Sequence, residues 1–351
     1  MSTGCVRGHA RARFGRNVAG MTDAVEPLSE LLLRRDAVAI GWSDDELSRL
    51  VRAGELVRLR RGAYVDSVLP ARPAAVHRLL IAATTVGLRR PAVVSHQSAA
   101  VLHGLPLWDV PLDRVHVTRR PRAWTDSSAV LCCHVAHLGD DEIVEIDGLQ
   151  VTTPIRTALD LARSLPHEAA VVTLDAALHT GVLAREVLRE RLFDIAGTPG
   201  SRSAARAVRA ADGRSESVGE SRSRVILHRW KLAPSALQFE IQTADGALVA
   251  RSDFAWEDER LVGEFDGRIK YGRLLRPGQD AGDAVFAEKR REDAIRDEDW
   301  GVVRRSVRVA PGPTRATGPR PSPRPGSRPR GASRRTRRRP RPAPAGAIGR
   351  T

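Results

Sequence analysis

The stretch Arg251 to Asp266, RSDFAWEDERLVGEFD, spaces its acids so that they can meet around a divalent ion. It reads as two short strands joined by a polar turn at Glu257 to Arg260, and if Trp256 pairs with Leu261, then Asp253 falls opposite Glu264. Side chains alternate along a strand, so Val262, Glu264 and Asp266 share one face and meet Asp253 and Ala255 of the partner. Three carboxylates then converge on one patch. Like charges directly opposed across strands destabilise a sheet by up to ~1 kcal/mol, and a bound cation reverses that sign. Mg²⁺ takes oxygen ligands, using one or two carboxylates together with phosphate and water. The chemistry this predicts is phosphodiester hydrolysis, in which the metal lowers the pKa of its water and neutralises charge on the phosphoryl oxygens.

The flanking elements must position these acids. Ser215 to Trp230 predicts a helix capped at Ser217, with Glu220 three residues on. A strand at Leu237 to Ile241 and a turn at Asp245-Gly246 lead into the hairpin, and a helix over Asp283 to Asp297 carries Glu288-Lys289-Arg290-Arg291-Glu292. Singly, Asp266-Gly267 is an ordinary turn, Glu220 a cap, and Lys289 with Asp293 a solvated i,i+4 pair worth ~0.5 kcal/mol. Taken with the register, they favour a metal site. Beyond Trp300 the sheet needs one more strand, for which Val302, Val303, Val307 and Val309 offer only a ragged start.

This order, helix with Glu220, strand, strand with Asp253, strand with Glu264-x-Asp266-Gly267 and then a basic helix, resembles the Vsr-like restriction-endonuclease-fold family, and more closely domain of unknown function 559. The resemblance covers about Ser215 to Trp300. It implies a metal-dependent DNA-cleaving core with Asp253 and Glu264 as metal ligands, Asp266 beside them, and Glu220 as an upstream acid. Such sites place a lysine two residues beyond the second acid. Here that position is Asp266, a departure that leaves Lys270 or Lys289 to reach in from elsewhere.

At the other end, an apolar helix is predicted at Leu28 to Leu33, a short one at Asp36 to Ile40, and a third at Asp44 to Ala53, opened by the Ser43/Glu46 capping box and stopped by Gly54. The run ELVRLRRGAYV, Glu55 to Val65, places Arg58, Arg60 and Arg61 around a turn at Gly62. Three helices and a basic hairpin describe a winged helix-turn-helix, which lays its third helix, here with Arg49 and Arg52, in the DNA major groove and sets its hairpin on the backbone or minor groove. Asp44, Asp45 and Glu46 open that helix with negative charge, so a small packing domain with a solvated charged face stands as the alternative. Residues 28 to 66, with TPIRTALDLAR at Thr153 to Arg163, resemble the AbiEi-type antitoxin and regulator family. That resemblance implies DNA binding, usually autoregulatory, with a cognate toxin or a second copy as partner.

Between the two ends, helices are predicted at Val76 to Leu88 and Ser95 to His103, strands at Arg114 to Thr118 and Val130 to His137, and a hairpin at Ile143 to Thr153 turned at Asp147-Gly148. Three helices follow, at Pro154 to Arg163, Glu168 to Leu178 and Ala184 to Leu192. His96, His103, His116, His134 and His137 lack a ligand spacing such as His-x3-His and read as structural or surface histidines. Cys5, Cys132 and Cys133, an odd set with one adjacent pair, frame no disulfides and fit a reducing cytoplasm. No apolar run approaches the ~20 residues of a membrane span.

The 351 residues carry a net charge of +15, but 15 arginines and no acids lie beyond Trp300, which leaves 42 basic against 42 acidic residues upstream. The body is therefore neutral, and its charge says little about its partners. From Pro311 the composition is Pro, Gly, Thr, Arg, Ala and Ser apart from Ile348, with almost nothing to bury, so disorder is expected. A basic tail binds nucleic acid nonspecifically; a shifted reading frame in a GC-rich gene gives the same composition. Met21 is an alternative start. The fold class is α/β (α+β) throughout: leader 1–25, winged helix-turn-helix 26–70, mixed α/β domain 71–196, Gly/Ser/Arg linker 197–214, endonuclease-like mixed sheet 215–309 and basic tail 310–351.

Overall fold

The computed structural model describes residues 31–121, 127–265 and 281–305. The leader, the tail, Asp266, Lys270, Val307 and Val309 lie outside the described residues.

The first unit runs β1 (Leu32–Leu33), α1 (Arg34–Ala39), α2 (Asp44–Arg52), β2 (Leu56–Arg60) and β3 (Ala63–Asp66), with sheet order β1-β3-β2. The expected capping box starts α2: Glu46 N–H donates to Ser43 Oγ at 3.2 Å, and Ser43 N–H donates to Glu46 Oε2 at 2.8 Å. Gly62 turns the wing with φ +77°, a conformation only glycine adopts freely. Leu32, Ala37, Leu47 and Tyr64 form the core. The helix expected through Leu33 is corrected. Leu32 and Leu33 pair with Tyr64 and Ala63 as a strand, because a short apolar run has no period of its own and takes the conformation its partner offers.

The middle unit contains α3 (Pro73–Thr85), β4 (Val93–Val94), α4 (His96–Leu102), β5 (Val115–Arg119), β6 (Leu131–Val135), β7 (Ile143–Ile146) and β8 (Leu149–Thr152). Four helices follow: α5 (Pro154–Ser164), α6 (His167–His179), α7 (Arg185–Asp194) and α8 (Ser201–Ala210). The mixed sheet has order β6-β5-β4-β8-β7, with β4–β8 and β5–β6 parallel. Asp147 and Gly148, at φ +51° and +73°, turn the β7–β8 hairpin as expected. The 197–214 linker is the second correction. Its SAARAV run forms α8, and Ala204, Ala207 and Val208 are buried against α5 and α6. Small side chains at i, i+3 and i+4 make a narrow apolar stripe that a Gly/Ser/Arg composition conceals.

The rear unit comprises α9 (Val218–Arg229), β9 (Ala236–Gln242), β10 (Leu248–Trp256), β11 (Leu261–Phe265), α10 (Ala281–Asp297) and β12 (Gly301–Arg305). Its sheet, in order β12-β11-β10-β9, is antiparallel except for β11–β12. The closing strand is therefore present over Gly301–Arg305, paired with β11. Ile241, Ala250, Ala255, Val262 and Ile295 form the core. Helix α9 packs on the middle unit. Arg224 Nη2 reaches Asp175 Oδ2 at 2.6 Å, while Arg222 pairs with Glu168 at 2.6 Å and lies 3.8 Å over the Trp108 ring. No helix among the described residues is long and apolar enough to cross a membrane.

Candidate functional site

The rear hairpin holds the expected register. Trp256 pairs with Leu261, Ala255 with Val262 and Phe254 with Gly263, so the next step sets Asp253 beside Glu264. On the other side, Leu237↔Phe254 and Phe239↔Ser252 bracket Gln238 opposite Asp253. Gln238, with a left-handed φ of +53°, donates from Nε2 to Glu220 Oε2 at 2.9 Å. Glu220 on α9 thus meets Gln238 on β9, from which Asp253 on β10 and Glu264 on β11 follow across the sheet. Gly219 permits this closeness: a Cβ there would stand 1.9 Å from the Phe265 ring.

Each of these acids is already engaged. Glu220 Oε1 accepts from Ser217 Oγ at 2.7 Å, and its Oε2 accepts from Glu216 N–H at 2.9 Å. Asp253 Oδ2 accepts from Phe265 N–H at 2.7 Å. Glu264 lies between two guanidinium groups, its Oε1 2.6 Å from Arg291 Nη1 and its Oε2 3.7 Å from Arg304 Nε. A divalent ion bridging Asp253 and Glu264 would share Glu264 with the Arg291 guanidinium already paired to its Oε1. The donor set has the oxygen chemistry of Mg²⁺, but its charge is matched from within the chain. Lys289 is exposed on α10.

In the first unit, Arg49 is exposed and 3.8 Å from Glu46, and Arg52 Nε donates to Ser48 O at 3.2 Å. Arg58 and Arg61 are exposed on the wing. Arg60 instead fastens the wing to the C-terminal end of α3, its Nε donating to Ala83 O at 2.7 Å and its Nη1 to Arg61 O at 2.8 Å. The negative opening of α2 is partly offset, since Arg34 forks onto Asp44 through two 2.6 Å bonds.

The middle unit gathers a histidine cluster. His116 Nδ1 is 2.9 Å from His134 Nε2, which is 3.7 Å from Cys132 Sγ. The His96 ring stacks on His134 with centroids 3.7 Å apart. Burial, aided by the neighbouring imidazoles, pushes His96 down to about 2 and His116 down to about 4, so both rings are neutral near pH 7. His103 and His137 are elsewhere, and His103 Nε2 bonds Thr152 O at 2.7 Å. The sequence hid this grouping because it depends on two strands lying in parallel register rather than on spacing within one helix.

Two segments match known families. Residues 29–65 match the family described as transcriptional regulator, AbiEi antitoxin, and residues 92–210 match the AbiEi antitoxin C-terminal domain. Over these two segments the front of this chain is similar to AbiEi-type antitoxin domains. Two curated relatives from Mycobacterium tuberculosis, the uncharacterized protein MT2308 of strain CDC 1551 / Oshkosh and the uncharacterized protein Rv2248 of strain ATCC 25618 / H37Rv, are each 36% identical over 121 residues. That alignment covers 34% of this chain and 44% of each relative. A crystal structure of the RV2827C protein from Mycobacterium tuberculosis is similar at TM-score 0.35 and 14% identity, over 61% of this chain and 83% of that one. The AbiEi-type match runs through α8, in agreement with the helix packed there. The rear acids Glu220, Asp253 and Glu264 lie beyond both AbiEi-type segments.

Proposed function

We propose that the protein is a DNA-binding regulator of the AbiEi antitoxin type, acting on its own promoter and paired with a cognate toxin. One observation carries this reading: the segment matched to the regulator family folds as a winged unit that exposes Arg49 and Arg52 on one helix and Arg58 and Arg61 on its hairpin. Helix and wing together provide a groove contact and a backbone contact. The test is a gel shift on the DNA upstream of the gene, titrated with salt. Specific binding that weakens steeply with salt supports the reading; equal affinity for unrelated DNA overturns it.

The rear unit supports a second reading, a Mg²⁺-dependent endonuclease, through Glu220 on α9 and the succession of Asp253 and Glu264 across its sheet. In that reading Asp253 and Glu264, with Asp266, would hold an ion that activates water and neutralises phosphoryl charge, and Lys270 or Lys289 would supply the positive group. The ion pairs at Glu264 weigh against it and favour a rear unit that serves as a partner or self-association surface. Plasmid incubated with protein and Mg²⁺ or Mn²⁺, with and without chelator, separates the two. Nicking that chelator and Asp253→Ala abolish establishes the enzyme; retardation without cleavage establishes the regulator alone.

A further inference from the structure

We propose that His116, Cys132 and His134 form a transition-metal site of two nitrogens and one sulfur, occupied by Zn²⁺. Strands β5 and β6 run parallel with His116 in register with Cys132 and Thr118 with His134. Alternation along β6 puts Cys132 and His134 on one face, and the register brings His116 beside them. Their three ligand atoms lie within 4.8 Å of one another.

The spacing is close to that of a coordination sphere. Tetrahedral Zn²⁺ bonds nitrogen at about 2.0–2.1 Å and sulfur at about 2.3 Å, which sets its ligand atoms roughly 3.3–3.6 Å apart. Here the nitrogens are 2.9 Å apart and the sulfur is 3.7 Å from His134 Nε2. The third pair, His116 with Cys132, is bounded by 4.8 Å, so an ion would draw the thiol in and part the two rings. Imidazole with thiolate suits zinc, whereas Mg²⁺ and Ca²⁺ require oxygen.

The surroundings define what kind of site this is. His96 lies nearly parallel to His134, at 13°, with Nδ1 held 3.0 Å from Ser95 Oγ. It fixes the plane of the His134 ring and supplies no fourth nitrogen. Among the described residues three protein ligands gather here, which leaves a fourth coordination position for an exogenous ligand, as in reactive zinc sites. Because β6 is an edge strand and the three residues are only half-buried, that position is reachable. The charges of Arg114 and Arg163 bear on these rings and oppose a cation; the Cys132 thiolate offsets one unit of charge, and the site favours an anion in the open position. Cys133 faces the opposite side of the strand, its Sγ 3.7 Å from His134 O.

The test uses untagged full-length protein, titrated with Zn²⁺ against a chromophoric chelator and with Co²⁺ as a spectroscopic substitute. One ion per chain is expected, with a tetrahedral Co²⁺ spectrum carrying a thiolate charge-transfer band. Cys132→Ser should remove that band, and Cys132→Ser, His116→Ala and His134→Ala should each weaken Zn²⁺ by at least the ~10-fold that loss of an outer-shell partner already costs. Cys133→Ser should bind as wild type. Absence of stoichiometric Zn²⁺, an octahedral Co²⁺ spectrum without the band, or Cys132→Ser binding as wild type would overturn the proposal. The wild-type Co²⁺ spectrum decides even where a histidine variant fails to fold.

Discussion

The carboxylate of Asp253 accepts the backbone N–H of Phe265 at 2.7 Å, so the acid in the middle of the rear sheet is tied to the neighbouring strand, beyond the Phe254↔Gly263 pair. A side chain bonded to backbone in this way holds the C-terminal end of β11 in place. In the endonuclease reading, structural and catalytic demands on Asp253 would overlap, so its variants are read for both.

Asp253→Ala leaves the Phe265 N–H without its acceptor in a partly buried position. Losing such a partner costs about 1–3 kcal/mol. Urea unfolding should show that loss, and Asp253→Asn, which retains an acceptor oxygen, should show less. Equal midpoints for wild type and Asp253→Ala would remove the structural role.

In the proposed DNA-binding reading, the wing arginines divide into the exposed Arg58 and Arg61, free to meet DNA, and the scaffold residue Arg60. Arg58→Ala and Arg61→Ala should weaken DNA binding and lower the slope of log K against log salt by roughly 0.9 for each phosphate that is no longer neutralised, without changing the melting temperature. Arg60→Ala should instead lower the melting temperature, because its guanidinium holds Ala83 O. Melting curves alongside salt-dependent gel shifts distinguish the two groups, and a stable Arg60→Ala with abolished DNA affinity would reverse the assignment.

Arg224 and Asp175 join the rear helix to the middle unit at 2.6 Å, with the Asp175 side chain fully buried and the Arg224 side chain 14% exposed. Removing one partner of a buried pair costs on the order of 3–5 kcal/mol, whereas replacing both with apolar groups of similar volume is often near neutral. Arg224→Ala should therefore destabilise strongly, and the double variant Arg224→Met with Asp175→Leu should recover only part of the loss, because Asp175 Oδ1 also accepts the Asp212 N–H at 2.7 Å and Arg224 also donates to Ala210 O. Chemical denaturation of the three proteins checks this.

His77 is buried between Leu112 O and Ser98 Oγ, each 2.8 Å from a ring nitrogen. Burial holds its pKa below the ordinary imidazole value, partly countered by the Leu112 carbonyl and Asp113. On acidification below ~6.5 the unfolded chain takes up a proton that the folded one refuses, so stability is full above that pH and falls below it. The melting temperature should drop between pH ~7.5 and ~5.5. His77→Gln, neutral throughout, should drop less, and identical pH profiles would remove His77 as a contributor.

What the sequence determined by itself was local. The Ser43/Glu46 box, the Ser217 cap, the Asp147-Gly148 turn and the Trp256↔Leu261 register each depend on residues a few positions apart, where backbone geometry and side-chain alternation leave little choice. The order of elements was legible for the same reason. Tertiary structure decided the rest. Leu32–Leu33 became a strand because Tyr64 and Ala63 offered an edge, and 201–210 became a helix because α5 and α6 offered a surface for small side chains. Arg60 met Ala83 O, and His116, Cys132 and His134 came together only through the parallel register of β5 and β6. Such partners are far apart along the chain, and no local period encodes which of them will come within reach.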